Sequence, residues 1–290
     1  MSNILLTGST GFLGSHLLNK LVNNHSVTCL KRISSSLSRV NHLASKVCWV
    51  DIESTDMHQL LLEKKIDYII HCATDYGRKE VNPIETIEAN LVLPLRLLHA
   101  SSGTNVSAFI NTDTILDKRI NHYSLSKSQF VEWLRSYSKD YVVINLAIEH
   151  FYGPNDDVSK FASFIISRLV NNEVNGIDLT EGLQKRDFIH IDDVTEAFIK
   201  IINNIGSLEK NFYHFEVGSN QLISIRDFVE LVKKLCNNTN TLLNFGVLPY
   251  RDNEVMSTNV DTSFLKSLGW QVQFTLEEGL RDTIIKEQKT

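Results

Sequence analysis

Residues 7–14 read TGSTGFLG, and this stretch decides the fold. It follows the apolar run 3–7 directly and opens a leucine repeat at every fourth position, Leu13, Leu17 and Leu21. A glycine-rich turn between a buried strand and an amphipathic helix is the arrangement that binds the pyrophosphate of a dinucleotide, at the N-terminus of the helix. A glycine turn with a purely structural role is the alternative, but the surrounding pattern favours dinucleotide binding.

The pattern around this loop continues through the first half of the chain. Short apolar runs rich in Val and Ile occur at residues 3–7, 27–30, 47–51, 68–72, 107–111 and 142–146, with helical patterns between most of them. Such alternation is typical of βαβ units, and consecutive apolar residues are typical of strands buried on both faces. We therefore expect an α/β fold, a Rossmann-like doubly wound parallel sheet with a smaller C-terminal substrate-binding lobe.

A break in this pattern predicts the domain organisation. Gly153 and Pro154 interrupt the chain just after the sixth predicted strand, and the second half is less regular. We expect residues 1–150 to form a dinucleotide-binding domain and residues 151–290 to form mainly the substrate lobe. Residues 186–215 are expected to return to the first domain.

Composition excludes several classes of protein. The chain has 290 residues, of which 42% are hydrophobic and 22% charged, with a net charge of −5, so we expect a globular protein without a nucleic-acid partner. No apolar run is long enough to span a membrane, and the N-terminus lacks the pattern of a signal peptide, which predicts a cytoplasmic protein. The four cysteines form no CxxC pair and are expected to be buried, reduced thiols rather than metal ligands.

The end of the second predicted strand distinguishes between cofactors. Proteins that prefer NAD usually carry an acidic residue there, whereas this chain has Lys31 and Arg32. Two cations suit a 2′-phosphate, so the sequence predicts NADPH over NADH, with solvated surface charges as the alternative. Asp51, at the end of the third strand, is expected to accept a hydrogen bond from the adenine amine. The other predicted cofactor contacts are Gly8, Thr10, Gly11, Phe12, Leu13, Gly14, Ile52, Cys72, Ala73, Thr74, Tyr123 and Lys127.

A tyrosine and a lysine four residues apart form the candidate catalytic pair. Tyr123 and Lys127 share one face of a predicted helix, where an ammonium group favours the phenolate and lowers the pKa of the tyrosine. The tyrosine can then exchange a proton with a carbonyl or alcohol oxygen near neutral pH. A solvated helix face is the default for such a pair, but its place after the fifth strand of a dinucleotide fold favours catalysis. Thr112, at the end of that strand, is the expected hydroxyl partner, with Thr114 as its rival.

These motifs make the sequence similar to the extended short-chain dehydrogenases/reductases, the NAD-dependent epimerase/dehydratase family, that act on nucleotide sugars. Within that family it resembles CDP-paratose and CDP-abequose synthases, in residues 74–78, 111–113, 149–154, 182–188 and 245–256. The resemblance implies an NADPH-dependent oxidoreductase that reduces the C4 ketone of CDP-4-keto-3,6-dideoxyglucose. The product sugars belong to the O-antigen of lipopolysaccharide.

The resemblance also implies a set of substrate-binding residues. Arg186 and Arg251 stand where the family binds the diphosphate, with a surface ion pair as the alternative for each. The other expected substrate contacts are Thr74, Tyr76, Thr112, Asp113, His150 and Lys160. Asn90 resembles a buried amide that supports the active site. The family further implies a homodimer formed by the predicted helices 83–102 and 122–138.

Several side chains near these motifs are expected to be structural. Aromatic residues of the second half are predicted to belong to the core rather than to stack on a base: Phe161, Phe164, Phe188 and Phe198. His190 is predicted to lie in a short strand or turn before a helix that Asp192 caps.

The sequence departs from the family at three points. Ile115-Leu116-Asp117 replaces a common Tyr-Gly pair, Ala147 replaces a common arginine, and Asp113 is followed by Thr114 rather than by the glutamate that a 4,6-dehydratase needs. The last departure favours simple ketone reduction. A dTDP-4-keto-6-deoxyhexose reductase, a C4 epimerase and a non-catalytic NADP-binding sensor remain alternatives, and the C4 configuration of the product stays open.

Overall fold

The computed structural model describes residues 1–77, 82–173, 175–252 and 254–289. Arg78 and Asn253, which belong to two of the motifs above, lie outside the described residues. The elements of the first half are β1 (Asn3–Thr7), α1 (Phe12–Leu21), β2 (Ser26–Lys31), β3 (Cys48–Asp51), α2 (Met57–Glu63), β4 (Tyr68–His71), α3 (Pro83–Ile87), α4 (Leu93–Ala100), β5 (Ala108–Thr114), α5 (His122–Tyr137) and β6 (Val142–Ile148). The elements of the second half are β7 (His150–Tyr152), α6 (Phe161–Val170), β8 (Ile177–Leu179), β9 (Lys185–His190), α7 (Ile191–Asn204), β10 (Phe212–Val217), β11 (Leu222–Ser224), α8 (Ile225–Leu235), β12 (Leu243–Phe245), α9 (Ser263–Ser267) and α10 (Leu276–Glu287).

The main sheet confirms the expected fold class. Seven parallel strands lie in the order β10-β6-β5-β4-β1-β2-β3. The chain order reverses between β1 and β4, so this sheet has the switch point at which α/β folds bind their ligands. All six strands predicted from the apolar runs are present, with their ends at most three residues from the predicted positions.

Burial on both faces explains why the strands are apolar at consecutive positions. In β1, Ile4 and Leu6 belong to the hydrophobic core on one face, and Leu5 belongs to the core on the other face. The first core is closed by α1 and α7, and the second is closed by α2, α4 and α5. The sheet is therefore the middle layer of three, and its carboxyl edge is the part that stays open for a ligand.

The second half of the chain contributes to both parts of the molecule. A three-stranded sheet (β11-β9-β7) and a two-stranded sheet (β12-β8) form the smaller lobe, whose core is closed by α6, α8 and α10. The chain returns to the main sheet with α7, which packs beside α1, and with β10, which pairs with β6. β9 stays in the smaller lobe, so the returning segment begins at Ile191.

Two local expectations about helices are wrong in detail. The predicted helix 83–102 is divided by a π-helical turn, Glu88–Val92, between α3 and α4. His190 rather than Asp192 caps α7: His190 has an extended backbone, and its side chain accepts a hydrogen bond from the Asp192 N–H. Asp192 already lies in the first turn of α7, where the helix dipole stabilises its negative charge.

Three further findings concern membrane-spanning helices, cysteines and metal sites. No helix within the described ranges is long and apolar enough to cross a membrane. The four cysteines are free, with two buried and two half-buried. Among the described residues, no cluster of His, Cys, Asp or Glu side chains has the arrangement of a metal site.

Candidate active site

A large cleft of about 1920 Å³ lies at the carboxyl edge of the main sheet, against the smaller lobe. Parallel strands bring all of their carboxyl ends to this edge, so residues that are distant in sequence meet there. Of the predicted site residues, all except Asp51 line the cleft: Gly8, Thr10, Gly11, Phe12, Leu13, Gly14, Lys31, Arg32, Ile52, Cys72, Ala73, Thr74, Tyr76, Thr112, Asp113, Tyr123, Lys127, His150, Lys160, Arg186 and Arg251.

The glycine loop forms a cradle between β1 and α1. Gly8 has a positive φ of 68°, and its carbonyl oxygen accepts the N–H of Gly11 at 2.9 Å. A Cβ atom on Gly14 would lie 2.0 Å from the Gly8 oxygen, so only glycine lets the helix approach the loop this closely. No side chain caps the N-terminus of α1 at Gly11. The free N–H groups and the helix dipole suit a pyrophosphate, so these residues fit a dinucleotide cofactor.

Cations gather where β2 ends. Lys31 and Arg32 line the cleft, and the side chain of Arg32 is exposed. Arg39 joins them, because its Nε donates to the carbonyl oxygen of Asn155 at 3.1 Å and so holds the side chain at the cleft. Ser35 also lines this end, although the sequence pattern identifies its loop only as a serine-rich surface segment. Three basic side chains, from the end of β2 and the loop that follows it, therefore line the cleft.

Asp51 lies at the end of β3, as the sequence predicts, beside rather than among the residues that line the cleft. Its Oδ1 accepts the N–H of Glu53 at 3.0 Å and so stabilises the turn after β3, and Asp51 does not line the cleft. The neighbouring Ile52 and Glu53 line it instead. The adenine contact of Asp51 stays a prediction.

Asn90 connects two walls of the site from inside the π-helical turn. Its Oδ1 accepts hydrogen bonds from the Thr74 hydroxyl at 3.0 Å and the Asp75 N–H at 2.9 Å. Its Nδ2 donates to the Asp75 carbonyl at 2.8 Å and to Ser126 Oγ, on α5, at 3.1 Å. This fully buried amide therefore holds the segment after β4 against the helix that carries Tyr123 and Lys127.

Lys127 is a buried lysine whose pKa is well below its usual value. Its side chain is 1% exposed, and its Nζ donates to the Thr112 carbonyl oxygen at 2.9 Å. Burial lowers the pKa of this lysine to about 8, while the nearby Asp113 and Cys72 act in the opposite direction. The ammonium is thus fixed against the end of β5, one helical turn from Tyr123.

Tyr123 lies at the start of α5 and faces the cleft. Asn121 caps this helix, and the Ser124 hydroxyl donates to the Asp117 carbonyl at 2.8 Å, so the first turn is held on both sides. The ring of Tyr123 packs against Tyr76, with the ring centroids 5.0 Å apart. The phenol is therefore oriented by contacts from both flanking loops.

Both candidate hydroxyls at the end of β5 line the cleft, but their hydrogen bonds differ. Thr112 Oγ1 donates to the His71 carbonyl oxygen at 2.8 Å, and Thr114 Oγ1 accepts the Leu116 N–H at 3.2 Å. Thr112 also carries the backbone oxygen that binds Lys127. Thr112 is thus linked directly to the lysine of the pair.

Two of the predicted substrate cations, Arg186 and Lys160, have partners in this structure. The guanidinium of Arg186 pairs with the Glu254 carboxylate and donates to the Val255 carbonyl at 2.6 Å. Lys160 Nζ lies 2.9 Å from Asp156 Oδ1 and 4.4 Å from the centre of the Phe151 ring. Burial raises the pKa of Asp156, because its carboxyl group is almost entirely removed from water. Arg186 and Lys160 line the cleft, each held by an acidic neighbour.

Of the four aromatic residues predicted to lie in the core, two are buried there and two are not. Phe188 and Phe198 are core residues, at 3% and 0% exposed. Phe161 and Phe164, in contrast, are 36% and 37% exposed and line the cleft. They lie three positions apart at the start of α6, and this helix turns that face to the cleft while its other face packs into the lobe.

Several charged residues of the cleft were not predicted as site residues. Glu149, Glu254 and Arg39 carry charge but belong to no spacing pattern that predicts a site. The runs 149–154 and 245–256 contributed to the family resemblance, which is the sequence signal that pointed to Glu149 and Glu254.

The layered parallel sheet, the glycine cradle and the Tyr–Lys pair at one edge define a Rossmann-fold enzyme with a nucleotide cofactor. The chain belongs to the NAD dependent epimerase/dehydratase family, whose model matches residues 4–218. This confirms the family expected from the motifs.

Comparison with known proteins places the chain near particular members of this family. It is 36% identical to a CDP-abequose synthase of Salmonella muenchen over 288 residues, which cover 96% of this chain and 95% of the relative. A CDP-abequose synthase of Salmonella typhimurium (strain LT2) is 29% identical, with 97% of each chain covered. Among solved structures, a UDP-glucose 4-epimerase of Thermotoga maritima has a TM-score of 0.86 at 22% identity and covers 99% of both chains, which shows the shared fold.

Gly14→Ala is expected to abolish tight binding of the dinucleotide. The added Cβ would meet the Gly8 carbonyl oxygen at 2.0 Å and push α1 away from the loop. We expect the Kd for the reduced dinucleotide, NADH or NADPH, measured by nucleotide fluorescence, to rise by more than about tenfold, the equivalent of 1.4 kcal/mol. Gly206→Ala is the matched control, since its Cβ would meet nothing within 4 Å. A folded Gly14→Ala protein with unchanged affinity would contradict this account of the cradle.

The buried ammonium of Lys127 predicts a pH-dependent stability. Its pKa falls from 10.5 in the unfolded chain to about 8, so between these values the unfolded state binds more protons than the folded state. Stability therefore rises with pH across this window, and the cost of the buried charge is fully present below it. The free energy of unfolding of the wild type, relative to Lys127→Met, should increase by on the order of 3 kcal/mol from pH 8 to 10.5.

Urea denaturation at several pH values measures this difference. The exposed Lys46→Met variant serves as the control and should show no such increase. A difference between wild type and Lys127→Met that stays constant with pH would show that the lysine is not buried as a cation.

Proposed function

We propose that this protein is an NADPH-dependent reductase of the C4 ketone of a CDP-linked 3,6-dideoxyhexose, CDP-4-keto-3,6-dideoxyglucose. The observation that carries the proposal is the convergence of Thr112, Tyr123 and Lys127 beside the glycine cradle, in one cleft. The 36% identity to a CDP-abequose synthase over nearly the whole chain supports the choice of substrate. The product is CDP-paratose or CDP-abequose, precursors of O-antigen sugars.

The residues of the site divide the chemistry between them. A bound NADPH supplies the hydride that the C4 carbon accepts. Tyr123 donates its phenolic proton to the C4 oxygen, so that hydride and proton together convert the ketone to an alcohol. The ammonium of Lys127 stabilises the phenolate that remains. The Thr112 hydroxyl turns from the His71 carbonyl to the same oxygen and stabilises the charge that develops there.

Reduction fits the end of β5 better than dehydration does. Removal of water from the sugar needs an acid and a base on either side of the C5–C6 bond, and the family supplies them as an Asp-Glu pair. Here Asp113 is followed by Thr114, whose hydroxyl already accepts the Leu116 N–H in a turn. This chain therefore lacks the second carboxylate and retains the groups that reduction requires.

The remaining cations of the cleft suit a sugar nucleotide. Arg186 and Arg251 line the part of the cleft that the smaller lobe contributes, whereas Lys160 Nζ lies 4.8 Å from the centre of the Phe12 ring, beside the glycine cradle. Guanidinium groups bind a diphosphate through two parallel hydrogen bonds. In this arrangement the diphosphate anchors the substrate, and Thr74, Tyr76 and Asp113 contact the sugar near Tyr123.

The proposal includes a cytoplasmic homodimer that meets through α4 and α5. Leu125 and Trp133 on α5 are 40% and 47% exposed, and such apolar side chains are typical of a covered helix face. Size-exclusion chromatography with light scattering tests this part of the proposal independently of the chemistry.

Tyr123→Phe is expected to abolish turnover while leaving cofactor binding intact. With CDP-4-keto-3,6-dideoxyglucose, absorbance at 340 nm follows NADPH oxidation, and loss of the general acid should lower kcat by about 10²- to 10⁴-fold. Thr112→Val should also lower kcat, whereas Thr114→Val, the matched control, should change it little. A Tyr123→Phe protein that keeps its activity would disprove the proposed role.

The same assay separates the alternatives. A dTDP-4-keto-6-deoxyhexose that is reduced faster would replace the CDP-linked substrate. Tightly retained NAD and interconversion of C4 epimers would identify an epimerase. NADPH binding without turnover of any sugar nucleotide would identify a sensor, and proton NMR of the product determines the C4 configuration.

The cations at the end of β2 predict a preference for NADPH. Lys31→Ala and Arg32→Ala should each raise the Kd for NADPH by about tenfold and leave the Kd for NADH nearly unchanged, because each variant removes one charge-assisted contact to the 2′-phosphate. Arg281→Ala, on α10 outside the cleft, is the control. Equal Kd values of the wild type for NADPH and NADH would rule out this preference.

A further inference from the structure

We propose that Glu149 positions His150 so that its Nε2 accepts a hydrogen bond from the 2-hydroxyl of the sugar. The inference rests on the proposed function and deepens it, because it names the group of the substrate that these two residues recognise. Glu149 is a positioning residue in this account, and His150 makes the contact.

Glu149 is a buried carboxylate that the chemistry of reduction does not use. It directly follows β6, is 4% exposed and lines the cleft. Its Oε2 lies 2.9 Å from Nδ1 of His150, and its Oε1 is buried without a hydrogen-bond partner among the described residues. Removing a carboxylate from water is costly, so a carboxylate kept here needs a compensating role.

His150 lies between the reacting end of the cleft and the predicted diphosphate site. Ile148, two residues before it, pairs with Thr114 at the end of β5. His150 itself pairs with Phe188 in the smaller sheet, and their rings are in edge contact at 5.9 Å. Arg186 is two residues before Phe188, a distance of about 7 Å along a strand. His150 is therefore placed beside the part of the substrate that joins C4 to the diphosphate.

The carboxylate determines which ring atom of His150 faces the substrate. An ionised carboxylate is only an acceptor, so Nδ1 must carry the hydrogen and donate it to Glu149. In the neutral imidazole, Nε2 is then an acceptor. The side chain of His150 is 35% exposed, and its Nδ1 is directed to Glu149, which leaves Nε2 for the cleft.

The oriented acceptor on His150 matches the one free hydroxyl of the proposed sugar. A 4-keto-3,6-dideoxyhexose linked through C1 has one free hydroxyl, at C2, next to the carbon that bears the diphosphate. Ile115, Leu116 and Ile148 also line the cleft, and their side chains offer no hydrogen bonds. The one free hydroxyl of the ligand and the oriented acceptor on His150 are therefore complementary.

Calorimetric binding of two ligands without a C4 ketone, CDP-3,6-dideoxyglucose and CDP-2,3,6-trideoxyglucose, to the cofactor-free protein tests the inference without turnover. The wild type should bind CDP-3,6-dideoxyglucose about five- to tenfold more tightly, as expected for one hydrogen bond. In Glu149→Gln and His150→Phe this ratio should fall to about one, because the oriented acceptor is lost or turned away. Glu196→Gln, an acidic residue paired with lysines outside the cleft, should keep the wild-type ratio.

Two more measurements distinguish positioning from a general structural effect. The double variant should show no additional loss beyond His150→Phe, since Glu149 acts through the imidazole. Nitrogen-15 NMR of His150 should show a protonated Nδ1 in the wild type and a changed tautomer in Glu149→Gln. Thermal melts verify that the variants are folded, and Glu149→Asp provides a second charged variant with a shorter reach.

The outcomes separate this inference from the proposed function. Wild-type protein that binds both ligands equally, or a Glu149→Gln protein that keeps the preference, overturns the role of Glu149 while the reductase proposal stands. Wild-type protein that binds neither ligand overturns the proposed substrate class itself.

Discussion

The close approach of α1 to the loop before it is the constraint on which the rest of the site depends. The carbonyl oxygen of Gly8 lies where a side chain on residue 14 would have to be, so the helix can begin at this point only because Gly14 has none. That contact places the uncapped N-terminus of α1 at the carboxyl edge of the sheet. The same edge carries the ends of β4, β5 and β6, so one geometric constraint assembles the phosphate cradle and the catalytic strand ends in a single cleft.

The catalytic pair is held by buried polar groups rather than by its own helix alone. Lys127 is anchored to the Thr112 carbonyl, and Asn90 connects the segment after β4 to Ser126 on α5. A buried ammonium and a buried amide are each costly to desolvate, but hydrogen bonds satisfy both of them here. The arrangement fixes the lysine close to the strand end, and the low polarity around it strengthens its effect on a neighbouring phenol.

Much of the fold could be predicted from periodicity, because strands buried on both faces and helices buried on one face leave distinct patterns. β1 begins and ends where the sequence places it. The π-helical turn in the helix 83–102 could not be predicted, since it depends on how Asn90 fits between two other segments. The exposure of Phe161 and Phe164 could not be predicted either. An apolar helical face has the same sequence pattern whether it packs on a core or borders a cleft.

The sequence by itself determined the class of fold, the glycine cradle, and the Tyr–Lys pair with its strand-end hydroxyl, because each of these is encoded by spacing within a short segment. The tertiary structure alone decided which charges meet. It brings Arg39 to Asn155, Glu254 to Arg186, and the Glu149–His150 pair to the wall of the cleft. Such pairings depend on the packing of distant segments, or on which neighbouring side chain a buried carboxylate turns to, and no local pattern specifies either of them.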